Sequence, residues 1–349
     1  MRRQLIMGGG AALGGLLLSG CGKSPPAGKG VKVVMGVSGR PDEAFLQLAL
    51  ERGYFERQNL DVSTVHVGGS DAIAPLSLNQ IQVVSTSPNA TFFNALNRGV
   101  DVRILADKAH VGGPDDAIVS IMVRKDLAES GAVKTARDLK GRTVSLGTGR
   151  GNFSYVLMNS VLTKNGMSWN DIELRNMSLS DVIVALSNNV IDAGYVIEPL
   201  RTVATLRGMA STLITGGSVE EGAQLAMLFG SPEFAKQTDV AARFLTGYLM
   251  GVRDYYAAFF LKQKQEEAIE LLTSTMDVKD PEVWRRASPQ HMDLNGQVNI
   301  ADVIRQAQLY KSLGDISGPV PDVAKYVETA PLEQALQVLG RASREAGVA

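Results

Sequence analysis

From Val31 onward, short runs of β-branched and apolar residues alternate with longer stretches of helical spacing. That rhythm predicts an α/β fold with helical crossovers between strands. Val31 to Val37 is the first predicted strand; Pro41 opens a helix that closes near Gly53, as proline suits a first turn and glycine an end. Strands follow at Leu60 to Val67, Ile81 to Ser85, Val102 to Ala106 and Ile118 to Val123, with helices at Asp71 to Asn79 and Pro88 to Arg98. The turn-forming Asp138-Leu139-Lys140-Gly141 begins a second run of the same alternation. Its strands are Thr143 to Leu146, Glu173 to Arg175 and Ala193 to Ile197, and its helices Phe153 to Asn165 and Leu179 to Asn188. The two runs share this rhythm without any sequence repeat. Beyond Pro232 the spacing is almost wholly helical, over Val240 to Phe260, Gln265 to Thr275, Ile300 to Leu313 and Pro331 to Ala346. This tail is expected to pack back on the first lobe.

The start of the chain follows another pattern. Arg2 and Arg3 precede an apolar run from Leu5 to Leu18, then the small Ser19 and Gly20 before Cys21, the build of a secretory signal. The run is too short and glycine-rich for a membrane span, which needs ~20 apolar residues. Leu18-Ser19-Gly20-Cys21 resembles the lipobox of bacterial lipoproteins, whose cysteine becomes the acylated N-terminus. Residues 1–20 are therefore expected to be removed, and a lipid on Cys21 to hold the protein to a membrane. The Arg2-Arg3 pair partly resembles a twin-arginine signal, which leaves the export route open. Gly22 to Gly30, with Lys23, Pro25, Pro26, Gly28 and Lys29, has no apolar pattern and reads as a flexible tether.

Removing twenty residues from 349 leaves 329, more than one core usually accommodates, so two lobes are expected. With Cys21 as the single cysteine, no internal disulfide can form. A formal net charge of −1 with no basic stripe argues against a nucleic-acid partner.

Ligands of open α/β sheets sit beyond the carboxyl ends of the strands, and three loops there carry candidate chemistry. Gly147-Thr148-Gly149-Arg150-Gly151-Asn152 lets the backbone approach a ligand. The helix starting at about Phe153 would aim N–H groups at an anion, with Thr148, Asn152 and Ser154 as neutral donors and Arg150 as a charge. The alternative is a solvated turn with an N-cap. Asn152 stands where a dinucleotide fingerprint needs glycine or alanine, and no Gly-Lys-Ser/Thr ending follows. Ser85-Thr86-Ser87 offers hydroxyls to a cleft, or else caps the next helix. Ser38 and Gly39 suit a ligand-facing loop with Phe45 as an aromatic wall, although Phe45 on a helix also fits a core. Glu198 ends a strand and meets a ligand or charges the next helix start, where a negative group is favourable. No Gly-x-Ser-x-Gly elbow is present, and His66, His110 and His291 have no metal-ligand spacing, so neither a catalytic residue nor a metal is expected. Tyr248, Tyr255, Tyr256, Phe259 and Phe260 fall at near-helical spacing and read as core.

Several phrases together resemble one family, the solute-binding proteins of ABC importers for nitrate, sulfonates, taurine and thiamin-precursor pyrimidines. They are Asp42-Glu43-Ala44 through Gly53-Tyr54-Phe55 to Leu60-Asp61-Val62, Leu78 to Val84, Asn94 to Val100, Asp138 to Val144, and Val190-Ile191-Asp192-Ala193 with Glu198-Pro199. Gln82 departs from the acidic residue common in the family, and the histidine- and cysteine-bearing signature of the fungal pyrimidine synthases is absent. The resemblance implies a type II periplasmic-binding-protein fold, with 31–120 and 222–349 forming one lobe and 121–221 the other. It implies a cofactor-free monomer that closes on a small polar ligand and works with an ABC permease and, through it, ATPase subunits. A sulfonate-, nitrate- or carboxylate-like anion suits the glycine loop and Arg150, whereas a pyrimidine-like heterocycle would use Glu198 and Tyr195. An enzyme or a sensory lipoprotein on the same scaffold is the competing expectation.

Overall fold

The seven-residue run Val31–Val37 becomes β1, the first of ten strands among the described residues, which follow the alternation along the chain. The computed structural model describes residues 30–37, 41–67, 69–147 and 149–343. The leader, Cys21 and the tether up to residue 29, Ser38, Gly39 and Thr148 lie outside them. After β1 come β2 (Leu60–His66), β3 (Val83–Thr86), β4 (Arg103–His110), β5 (Val119–Arg124), β6 (Thr143–Ser145), β7 (Glu173–Leu174), β8 (Ala193–Ile197), β9 (Ala210–Thr215) and β10 (Gln224–Gly230).

They form two five-stranded sheets, one ordered β2-β1-β3-β10-β4 and the other β7-β6-β8-β5-β9. β1 runs parallel to β2, from Val31 opposite Leu60 to Val37 opposite His66. β10 runs antiparallel to both β3 and β4. The chain passes from one sheet to the other between β4 and β5 and returns between β9 and β10, so two crossings join the lobes.

Most predicted elements are present with their ends moved by a few residues. Pro41–Glu43 is a 3₁₀ turn leading into the helix Ala44–Glu51. The sequence reading passed over β9, β10 and the helices Leu200–Leu206 and Pro281–Arg286.

The tail does pack on the first lobe. Its long helix Thr238–Phe259 buries Phe244, Leu245, Tyr248, Leu249 and Val252 against Phe45, Leu48, Ala49 and Phe55. Gly251 makes this approach close, since a Cβ there would lie 2.5 Å from the Phe45 carbonyl oxygen. Tyr248, Tyr255, Tyr256 and Phe259 are buried as expected, with Tyr255 stacked on Phe259 at 4.5 Å. Each fully buried Phe, Leu or Val side chain here contributes roughly 1.5–3 kcal/mol. A second apolar cluster spans both lobes, joining Phe92, Phe93 and Phe229 to Tyr155, Tyr195 and Tyr310.

Candidate functional site

A cleft of ≈ 620 Å³ opens between the two sheets, at the carboxyl ends of β2, β3, β6 and β8. Ser85, Thr86, Ser87, Asn152, Ser154, Tyr195 and Glu198 line it, so the structure brings together half of the side chains the sequence nominated.

The end of β3 places Ser85, Thr86 and Ser87 on one wall. They do not cap the next helix. Asn89 does, accepting from the Phe92 N–H at 2.9 Å, so that Ala90–Asn97 begins three residues beyond Ser87. Ser85 Oγ is buried and has no hydrogen-bond partner among the described residues. A buried hydroxyl left unpaired costs ~1–3 kcal/mol, so Ser85 keeps an unused hydrogen-bonding group in the cleft wall.

The facing wall is the loop after β6. Asn152 stands at the N-cap of the helix Phe153–Lys164, but its side chain makes no capping bond. Gly147, Asn152, Phe153 and Ser154 reach the cleft. Gly149 and Arg150 do not line it, nor does Gly151. Arg150 turns outward, where its Nε donates to Asp315 at 2.9 Å and a guanidinium nitrogen to the Leu313 carbonyl at 2.8 Å. Loop composition named the charge correctly but not the side of the loop it leaves from.

Phe45 is a correction as well. It is core, edge-on to Tyr248 at 5.5 Å, and reaches no cleft wall, because the helix Ala44–Glu51 turns that face toward Thr238–Phe259. Glu198 borders the cleft, yet its oxygens accept from Arg201 at 2.7 Å, from the Thr202 N–H and hydroxyl at 3.1 and 3.0 Å, and from the Ser288 N–H at 3.1 Å. The carboxylate charges the helix start, the second of its two expected roles.

Among the described residues, the lysine or arginine that lines the cleft is one the sequence reading missed. Lys108, inside β4, is buried and its Nζ donates to Asp42 at 2.6 Å. A lysine in an apolar strand carries no loop signal, and only the topology carries β4 to the cleft. Asp42, His66, Asp71, Asn89 and Gln290 line the cleft too. Gln290 donates to the Lys108 carbonyl at 3.0 Å.

His110 and His291 meet near the crossings, where the His110 N–H donates to the His291 carbonyl at 3.1 Å. Burial disfavours the charged form of both. At His110 the bond to Asp107 and the charges of Asp107, Asp293 and Asp116 outweigh it and raise the pKa, while at His291 burial, helped by His110 and opposed by Asp116, lowers it. Among the described residues no group of three His, Cys, Asp or Glu side chains is placed to hold a metal, and no helix is long and apolar enough to cross a membrane.

Residues 40–258 match the family model described as NMT1/THI5 like, well over half of the chain. This chain belongs to that family. No curated protein matches it significantly. Among solved structures, the nitrate-binding protein NrtA from Synechocystis PCC 6803 is similar with a TM-score of 0.72 and 15% identity, over 89% of this chain and 90% of that one. The aliphatic sulphonate-binding protein SsuA from Escherichia coli gives 0.69 and 20%, over 87% and 99%. The alkanesulfonate-binding SsuA from Xanthomonas axonopodis pv. citri, bound to MOPS, gives 0.66 and 20%, over 86% and 99%. These likenesses fix the fold of this NMT1/THI5-like chain as that of the periplasmic binding proteins, type II by its strand order.

Proposed function

We propose that this chain is the extracytoplasmic solute-binding component of an ABC importer, which captures a small polar molecule by lobe closure and delivers it to a permease. The observation that carries the reading is the unpartnered, buried Ser85 hydroxyl in the wall of an inter-lobe cleft, facing a loop whose Asn152 side chain is not used as a cap. Family membership supports binding rather than catalysis, and we read the chain as two lobes, 31–120 with 222–349 and 121–221.

A sulfonate-, nitrate- or carboxylate-like anion is the first reading of the solute. With Arg150 outside the cleft and Lys108 paired with Asp42, it would be held by hydroxyl and amide donors and by the N–H groups heading Phe153–Lys164. The Tyr195 ring in the wall and the offset lysine charge favour a second reading, a pyrimidine-like heterocycle. A panel of sulfonates, nitrate, carboxylates and pyrimidines separates them by the rise in melting temperature, since a solute that binds only the folded state adds RT ln(1 + [L]/Kd). No saturable rise with any class would sink the importer reading.

The lipid anchor belongs to the same proposal. Lipid on Cys21 and the tether to Gly30 would hold the binding body near its permease and raise its local concentration. Cys21→Ser should leave solute capture intact and release the protein from membranes; unchanged membrane retention would contradict it.

A further inference from the structure

Arg150 and Gly151 stand outside the cleft, yet they tie the lobes together at one end of it. Arg150 follows β6 of the second sheet and reaches Asp315 and the Leu313 carbonyl at 2.9 and 2.8 Å. Asp315 is fastened to the first lobe through the helix Ala90–Asn97. Asn94 donates to the Asp315 carbonyl at 2.9 Å and accepts from the Ser317 N–H at 2.8 Å, and Asn97 donates to the Ser317 carbonyl at 2.7 Å. At the head of that helix, the Ala90 N–H donates to the Gly151 carbonyl at 2.9 Å. The approach is close: a Cβ on Gly151 would lie 2.4 Å from that of Ala90.

The Asp315 side chain is only 12% exposed, and its Oδ2 has no hydrogen-bond partner among the described residues. The Arg150 guanidinium is therefore what offsets this charge when the lobes meet. Because the two partners sit on different lobes, opening the cleft at this end breaks the pair, and its free energy belongs to the closed arrangement alone.

We propose that Arg150 is a positioning residue for solute capture, a latch that holds the lobes closed through Asp315 without touching the solute. The inference rests on the lobe-closure reading above, but its measurement uses no solute, so a failure of solute capture and a failure of the latch are read separately.

The test is electron-spin distance measurement on the leaderless chain carrying Cys21→Ser, with labels at Asp71→Cys and Ser180→Cys, exposed positions on either side of the cleft. Arg150→Ala and Asp315→Asn are each expected to move the closed-to-open ratio about fivefold toward open at low salt. Salt at about 1 M should do the same to the parent chain and move Arg150→Ala less, since the Arg150–Asp315 pair is screened while another ion pair between the lobes, Arg305 with Glu220, is common to both. Gly151→Ala should open the lobes by steric contact without altering charge. Distance distributions that are the same in the parent chain, Arg150→Ala and Asp315→Asn would overturn the proposal. An equal response to salt in the parent chain and Arg150→Ala would do so too.

Discussion

Ser85 and Asp42 show how differently two polar side chains behave in one cleft. The Ser85 hydroxyl is buried without a partner, so Ser85→Ala relieves the folded protein while depriving a solute of a contact. The expected outcome is a melting temperature higher by about 2 °C and solute affinity weaker by roughly tenfold, read by calorimetry with a solute found in the panel. Asp42 is the opposite case. Removing it leaves Lys108 buried without its charge partner, and Asp42→Ala should cost about 3–5 kcal/mol of stability in urea denaturation. Ser85 was legible because hydroxyls after an apolar strand and before a proline announce a strand-end loop. Lys108 was not, because nothing in Arg103 to His110 tells which end of the strand meets a partner lobe. Arg150 was legible as a charge on a glycine-rich loop, while its direction depended on Asp315, far away in sequence.

Among the elements, β10 explains what the pattern hid. All seven of its residues are buried, so no alternation marks it, and its Ala, Leu and Met suit a helix as readily as a strand. β9 fails for the reverse reason, as an edge strand whose residues are mostly half-buried. The elements with β-branched runs, such as β1 and β8, were read to the residue. Helix on helix, the contact at Gly251 depends on the missing side chain, so Gly251→Val should destabilise by about 1–3 kcal/mol or more through overpacking, measured by thermal or urea unfolding. Between β4 and the tail, the raised pKa of His110 gives a pH dependence of definite sign. A histidine whose folded pKa is raised stabilises fully below its unfolded value, near about 6.5, and loses that contribution as pH climbs through the folded value. The melting-temperature difference between the parent chain and His110→Gln should therefore be positive and level in acid and shrink as pH rises above about 6.5; a difference growing with pH would contradict it.

The molecule as a whole couples these parts through two crossings and a cleft. Periodicity alone showed an α/β chain with a helical tail and length called for two lobes, while the resemblance supplied the way the chain is divided between them. The same pairing has a consequence for the order in which the protein is made. Every strand of the second sheet lies in one unbroken stretch, from Val119 to Thr215. The first sheet is begun earlier but lacks its fourth strand until Gln224–Gly230 appears between β3 and β4. A chain emerging from a ribosome or a membrane pore thus finishes the later lobe first. The earlier lobe waits with two open strand edges, which are sites for mispairing, and the wait lasts for the more than one hundred residues that separate β4 from β10.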